Sequence, residues 1–124
     1  MTMSSLGEMA ESGAIEVLRK AVAVLGERGW TQGVTRDLHT GEVDILGAVA
    51  LAAGARVSEV DDRPDLLTTS VPPARRAAAL IAWETLEWAV DGDPVLWQDS
   101  GQRRFHDVAR VIQKAADRLA IAIK

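Results

Sequence analysis

Cysteine is absent from the sequence, which excludes disulfides, thiolate catalysis and cysteine-based zinc sites. The two histidines, His39 and His106, stand far apart and in no ligand-spaced pair, so neither a metal nor a cofactor is expected. Tyrosine is missing and phenylalanine occurs once, leaving four tryptophans to supply most of the aromatic surface. No G-x-S-x-G elbow, H-E-x-x-H pair, phosphate-cradling glycine loop or G-x-G-x-x-G turn occurs, and the expectation leans away from an enzyme. No apolar run approaches the ~18–20 residues of a membrane span. The opening MTMSSLGEMAESG lacks the basic and apolar regions of a secretory signal, so a cytoplasmic protein without membrane contact is expected.

What remains is ordinary globular material. The 124 residues suit one domain, 1–124, with 1–11 read as a flexible lead-in; 48% are apolar and 26% charged, enough to bury a core. The net charge of -4 is unevenly spread, because residues 102–124 carry six bases against two acids while the rest of the chain is acidic.

Apolar periodicity predicts an all-α fold, a small bundle of about four helices near 13–28, 45–54, 73–91 and 100–123. Ser12 reads as the N-cap of the first, whose inner face carries Ala14, Ile15, Leu18, Ala21, Val22 and Leu25. Gly29 reads as its left-handed end, pairing Trp30 with Leu25 in a Schellman clasp. Residues 31–43 lose the helical period and suggest an irregular loop or short hairpin turning at His39-Thr40-Gly41. Asp44 caps the second helix, where Gly47, Ala48, Ala50, Ala52 and Ala53 permit close approach, and Gly54 ends it. Residues 55–71 are ambiguous, with a helical turn near Ser58 and a break at Arg63-Pro64.

Pro72-Pro73 opens the third helix and Asp91-Gly92-Asp93-Pro94 stops it. Leu80, Ile81, Trp83, Leu86 and Trp88 spread over most of its circumference, which predicts the most enclosed helix of the set. Asp99 with Gln102 reads as a capping box launching the last helix, with Phe105, Val108, Ile112, Ala115, Leu119 and Ala122 as its seam.

Gly29-Trp30-Thr31-Gln32-Gly33, Leu46-Gly47-Ala48 and Trp97-Gln98-Asp99 together resemble a family of small uncharacterised helical proteins from high-GC Gram-positive bacteria and their phages. Its members show a GWTQG turn, an LGAL-type helix and a W-N-D turn, and the likeness spans about residues 14–115. The chain departs from that pattern at Gln98, where the family has Asn, and at Glu42-Val43-Asp44, where members often carry a Cys-Trp-Cys-like run. No metal or redox role resting on those cysteines carries over. The resemblance implies a fold and no activity.

Two turns set polar groups beside tryptophan: Trp30, Thr31 and Gln32 with Arg36, and Trp97, Gln98 and Asp99. Such groups can line one shallow pocket for a planar ligand, although turn chemistry favours their serving as helix-end clasps. The acids Asp61, Asp62, Asp65, Asp91 and Asp93 lack the spacing of a calcium loop and read as solvated. Arg103, Arg104 and Arg110 give the last helix a basic face, but Asp107 and Asp117 offset part of it, which disfavours nucleic acid. The leading expectation is a non-enzymatic protein-interaction module, a phage or bacterial accessory factor with an unidentified protein partner. Its apolar tail Leu119-Ala120-Ile121-Ala122-Ile123 suggests a homo-oligomer through the C-terminal helix. The alternatives are a small-ligand binder or enzyme at the Trp30 and Trp97 turns, and a DNA-associated regulator.

Overall fold

The deepest apolar stripe in the molecule lies on the first helix, α1 (Ser4–Arg28), where Ala14, Val17, Leu18, Ala21 and Leu25 are all buried. A computed structural model of the chain describes residues 4–122. Five more α-helices follow: α2 (Ile45–Ala52), α3 (Leu66–Thr69), α4 (Arg76–Val90), α5 (Pro94–Asp99) and α6 (Phe105–Ala122). The fold is all-α, with single 3-10 turns at Val57–Glu59 and Pro73–Arg75. Helix α1 is the central rod, packing against α2, α4 and α6, while α4 and α6 also pack on each other. Fully burying a side chain such as Leu18 or Leu25 stabilises by roughly 1.5–3 kcal/mol, so this stripe is the main apolar contribution of any single helix.

The expectation that the Pro72-led helix is innermost is therefore corrected. Helix α4 buries one face only, Ala78, Ala79, Ala82 and Leu86. That face is small enough to bring α1 close: a Cβ on Gly13 would sit 3.1 Å from the Cβ of Ala78. Of its large residues only Leu86 is fully buried; Leu80 is 39% and Trp88 47% exposed, and Ile81 and Trp83 are half-buried at the edge of the core. The enclosed helix is α2, whose Ile45, Gly47, Ala48, Val49, Ala50 and Ala52 are buried.

Helix ends show which local signals hold. Asp44 caps α2 by accepting the Gly47 amide at 2.8 Å. Gly54 (φ 105) closes α2 in a Schellman ending, its amide bonded to Leu51 O and that of Ala55 to Ala50 O. At the end of α1, Gly29 takes the left-handed conformation (φ 88), but its amide bonds Leu25 O, the single-bond ending instead of the Schellman pair. Helix α1 begins at Ser4, which places Ser12 inside it. Asp99 does not cap α6. It ends α5, which Asp93 caps by accepting the Val95 amide at 2.8 Å, and α6 starts at Phe105 with Asp107 reaching back to the Arg104 amide.

Between α1 and α2 no strand forms among the described residues; Val43 makes isolated bridges to Trp30 and Arg36. The turn at His39-Thr40-Gly41 is tight, its His39 and Thr40 amides both donating to the Asp37 carboxylate. Ile123, in the proposed apolar tail, lies outside the described residues, as do residues 1–3. Within that tail Leu119 is buried, whereas Ile121 is 74% exposed. No helix among the described residues is long and apolar enough to cross a membrane.

Candidate functional site

Once Gly29 turns the chain out of α1, the loop folds back on its own end: Thr31 N donates to Val43 O, Val43 N to Gly29 O, and Asp44 N to Thr35 O. This loop lies against α2 with little clearance, since a Cβ on Gly47 would stand 2.7 Å from the Thr35 carbonyl oxygen. The loop is thereby positioned to meet α5, which follows α4 after Asp91 and Gly92 reverse the chain.

The meeting point is Gln98, fully buried in the last turn of α5. Its Oε1 accepts from the Trp30 indole Nε1 at 3.0 Å and from the Ile45 amide at 2.9 Å. Its Nε2 donates to Asp44 Oδ2 at 2.9 Å and to Asp99 Oδ1 at 3.3 Å. Its backbone carbonyl accepts from Gln32 Nε2, and Asp99 Oδ1 accepts from the Gly33 amide at 3.0 Å. One buried amide therefore ties the end of α1, the start of α2, the loop between them and α5. Among the described residues no buried side-chain polar atom lacks a partner, which is the condition under which such a network stabilises a fold.

Asp44 is the charged member of this network. Burial pushes its carboxyl up to about 6, while the Gly47 amide and the Gln98 side chain favour the ionised form and the Asp99 charge opposes it.

The two tryptophan turns are thus brought together, but through hydrogen bonds that occupy their polar groups. Trp30 spends its indole N–H on Gln98, and Thr31 contributes its backbone. Arg36 leaves the group altogether, donating Nε to Val60 O at 3.1 Å. The Trp97 ring is covered by the Arg103 guanidinium 4.4 Å from its centre, and Arg103 Nε also donates to Trp97 O. The three arginines weighed for nucleic acid are accordingly split: Arg103 is folded onto Trp97, Arg104 precedes α6, and Arg110 lines a depression beside Trp88.

Next to this network opens a cleft of about 720 Å³. Gly33, Asp44 and Asp99 form one wall, the Asp62–Asp65 segment another, and Leu80, Trp83 and Glu87 of α4 a third. Leu46, Leu67 and Val95 complete an apolar floor with Leu80 and Trp83. Six carboxylates line it, Asp44, Asp62, Asp65, Glu87, Asp93 and Asp99, against one cation, Arg63. That cation is engaged outward, with Nε 2.7 Å from Asp61 Oδ1 and Nη2 bonded to Glu59 O and Ser70 Oγ. None of the six acids forms an ion pair among the described residues, although Arg63 also feels the charge of Asp65, so acids outnumber cations six to one. Among the described residues no three of them converge closely enough to hold a metal ion.

Sequence reasoning missed this cleft for two reasons. Asp62, Asp65 and Asp93 read as unrelated solvated acids because the loops that join them are folded by long-range contacts. Leu80 and Trp83 read as core because an apolar helix position looks the same whether it faces another helix or a cleft. Of the residues singled out in the turns, Asp99 lines the cleft; Trp30, Thr31, Gln32, Arg36, Trp97 and Gln98 stand behind or beside it.

No curated protein matches the chain, and no solved structure does. Residues 9–118, however, match a family of unknown function (DUF6197), and with most of its length aligned the chain belongs to that family.

Proposed function

We propose that the chain is a non-enzymatic protein-interaction module, a cytoplasmic accessory factor of a high-GC Gram-positive bacterium or its phage, which seats a basic, apolar-bearing segment of a partner protein in the cleft. The observation that carries this reading is the predominantly acidic rim, six carboxyl groups against one arginine, over an apolar floor. Opposite charge attracts and orients the partner, and burial against Leu80 and Trp83 supplies the affinity. Neither histidine lines the cleft: His39 sits in an exposed turn and His106 lies beside Asp107 on the surface of α6.

Calorimetric titration tests the reading. An amphipathic peptide of lysine and leucine should bind the chain, weaken as salt rises, and lose at least tenfold in affinity against Glu87→Lys. Equal binding of the same peptide with glutamate in place of lysine would overturn it.

A further inference from the structure

Resting on that reading of the cleft, the segment it selects has two properties: cations in a row and an apolar side chain beside them. The described surface of this chain presents such a segment on the outer face of α6. Arg110, Lys114 and Arg118 recur every fourth residue and form one stripe along the helix. Lys114 Nζ and the Arg118 guanidinium lie over the Trp88 ring, 5.2 and 4.5 Å from its centre, and exposed Ile121 continues the stripe. A shallow depression of about 420 Å³ runs among these residues.

The cations of the stripe outnumber the acid beside them and form no ion pair among the described residues. The ion pairs there join Arg63 to Asp61 and His106 to Asp107, and neither involves the stripe. Asp117 belongs to the same depression and accepts from Gln113 Nε2 at 2.8 Å, which leaves three cations against one acid. Exposed Trp88 and Ile121 give the stripe an apolar payload that a purely electrostatic surface would not need.

We propose that the partner seated in the cleft is a second copy of this chain, presenting its α6 stripe with Trp88 and Ile121. Charge and apolar content match on both sides: carboxylates around Leu80 and Trp83 meet cations around Trp88 and Ile121. The two surfaces of one copy cannot meet each other. Glu87 of the cleft and Trp88 of the stripe are consecutive on α4 and therefore point about 100° apart around a rigid helix. The contact is head-to-tail, so an open assembly always has one free cleft and one free stripe at its ends to which further copies can add.

Sedimentation velocity on the full chain tests this with two double variants at exposed positions, one blocking the cleft (Asp65→Lys with Glu87→Lys) and one blocking the stripe (Lys114→Glu with Arg118→Glu). Circular dichroism checks that both fold. At low salt and rising concentration the unmodified chain should exceed twice the monomer mass and dissociate at high salt. Each variant alone should stay monomeric, and an equimolar mixture of the two should stop at a dimer, because only one intact cleft and one intact stripe remain to pair. A monomeric unmodified chain at all concentrations overturns the proposal, as does a variant that still oligomerises alone. If the chain is monomeric yet the lysine–leucine peptide binds it, the cleft reading stands and the second copy is wrong; if neither associates, both fail. Binding of random-sequence duplex DNA, lost in the stripe variant and without self-association, would reassign the stripe to nucleic acid and also overturn the proposal.

Discussion

Replacing Gln98 with leucine removes the amide that joins four segments while keeping a side chain of similar size. Three groups lose their partner: the Trp30 indole N–H, the Ile45 amide and Asp44 Oδ2. Leaving a buried polar group unpaired costs about 1–3 kcal/mol, which gives a gross loss of roughly 3–9 kcal/mol. Part of this is offset, because leucine avoids the desolvation of an amide, about 1–3 kcal/mol on mutational scales. Trp30 is only half-buried and can recruit water, and Asp44 can take up a proton. The net loss should fall near 3–4 kcal/mol, a large share of the ~5–15 kcal/mol typical of a domain. Urea unfolding at neutral pH, followed by far-ultraviolet circular dichroism, measures it. Gln32→Ala is the matched control, since it removes one bond to the same residue from an exposed position and should cost about 0.5–1 kcal/mol. A Gln98→Leu loss below about 1 kcal/mol, or one equal to the control, would refute the view that Gln98 is the hub.

Asp44 predicts a pH dependence of definite sign. Its carboxyl is raised to about 6 in the folded chain against an ordinary 3.8, so between those values the folded state holds more protons than the unfolded. Stability contributed by this group should therefore be highest below pH ~4 and decline by up to about 3 kcal/mol as pH rises toward ~6. Asp44→Ser, which keeps a capping oxygen but no carboxyl, should lose that slope; an unchanged slope would assign it elsewhere. Asp37 and Asp61 are shifted the other way, Asp37 by the His39 and Thr40 amides and Asp61 by Arg63, so their contribution is present above the ordinary value and fades below it, outside the Asp44 window. Gly47→Ala should cost about 1–2 kcal/mol despite the better helix propensity of alanine, because the new methyl meets the Thr35 oxygen that holds the Asp44 amide. Gly26→Ala, with open space around it, should instead stabilise by about 0.5–1 kcal/mol, and thermal melts of the pair will expose any error of sign. Asp91 holds φ 54 at the end of α4, so Asp91→Gly should raise stability by about 0.5 kcal/mol, and a lowered melting temperature would count against left-handed strain there.

What could be read from the sequence was local. Asp44 and Gly54 announce the ends of α2 because each cap acts within four residues, and the run of small residues between them announces its burial. Juxtaposition of the Trp30 and Trp97 turns was legible as a possibility of chemistry but not as hydrogen bonds, since Gln98 and Trp30 are 68 residues apart. The Asp99-x-x-Gln102 pattern misleads because Asp93-Pro94 offers an earlier start, and the short helix it launches uses up residues 94–99. Helix α1 extends back to Ser4 through serine and glycine positions of modest propensity, which a local reading discounts. The rank of α4 was illegible for a more general reason. Three alanines, which carry little apolar signal, form its packed face together with Leu86, while the conspicuous Leu80 and Trp88 are exposed and Trp83 is only half-buried.

The four tryptophans allow one direct measurement of whether the turns brace the cleft or are themselves the binding site. Indole N–H signals of Trp30, Trp83, Trp88 and Trp97 can be followed by nuclear magnetic resonance while the lysine–leucine peptide is added. Trp83 lines the cleft and should shift progressively, whereas Trp30, whose N–H is held by Gln98, should keep its position and its protection from exchange. Movement of Trp30 with Trp83 unchanged would contradict this and place recognition at the turns.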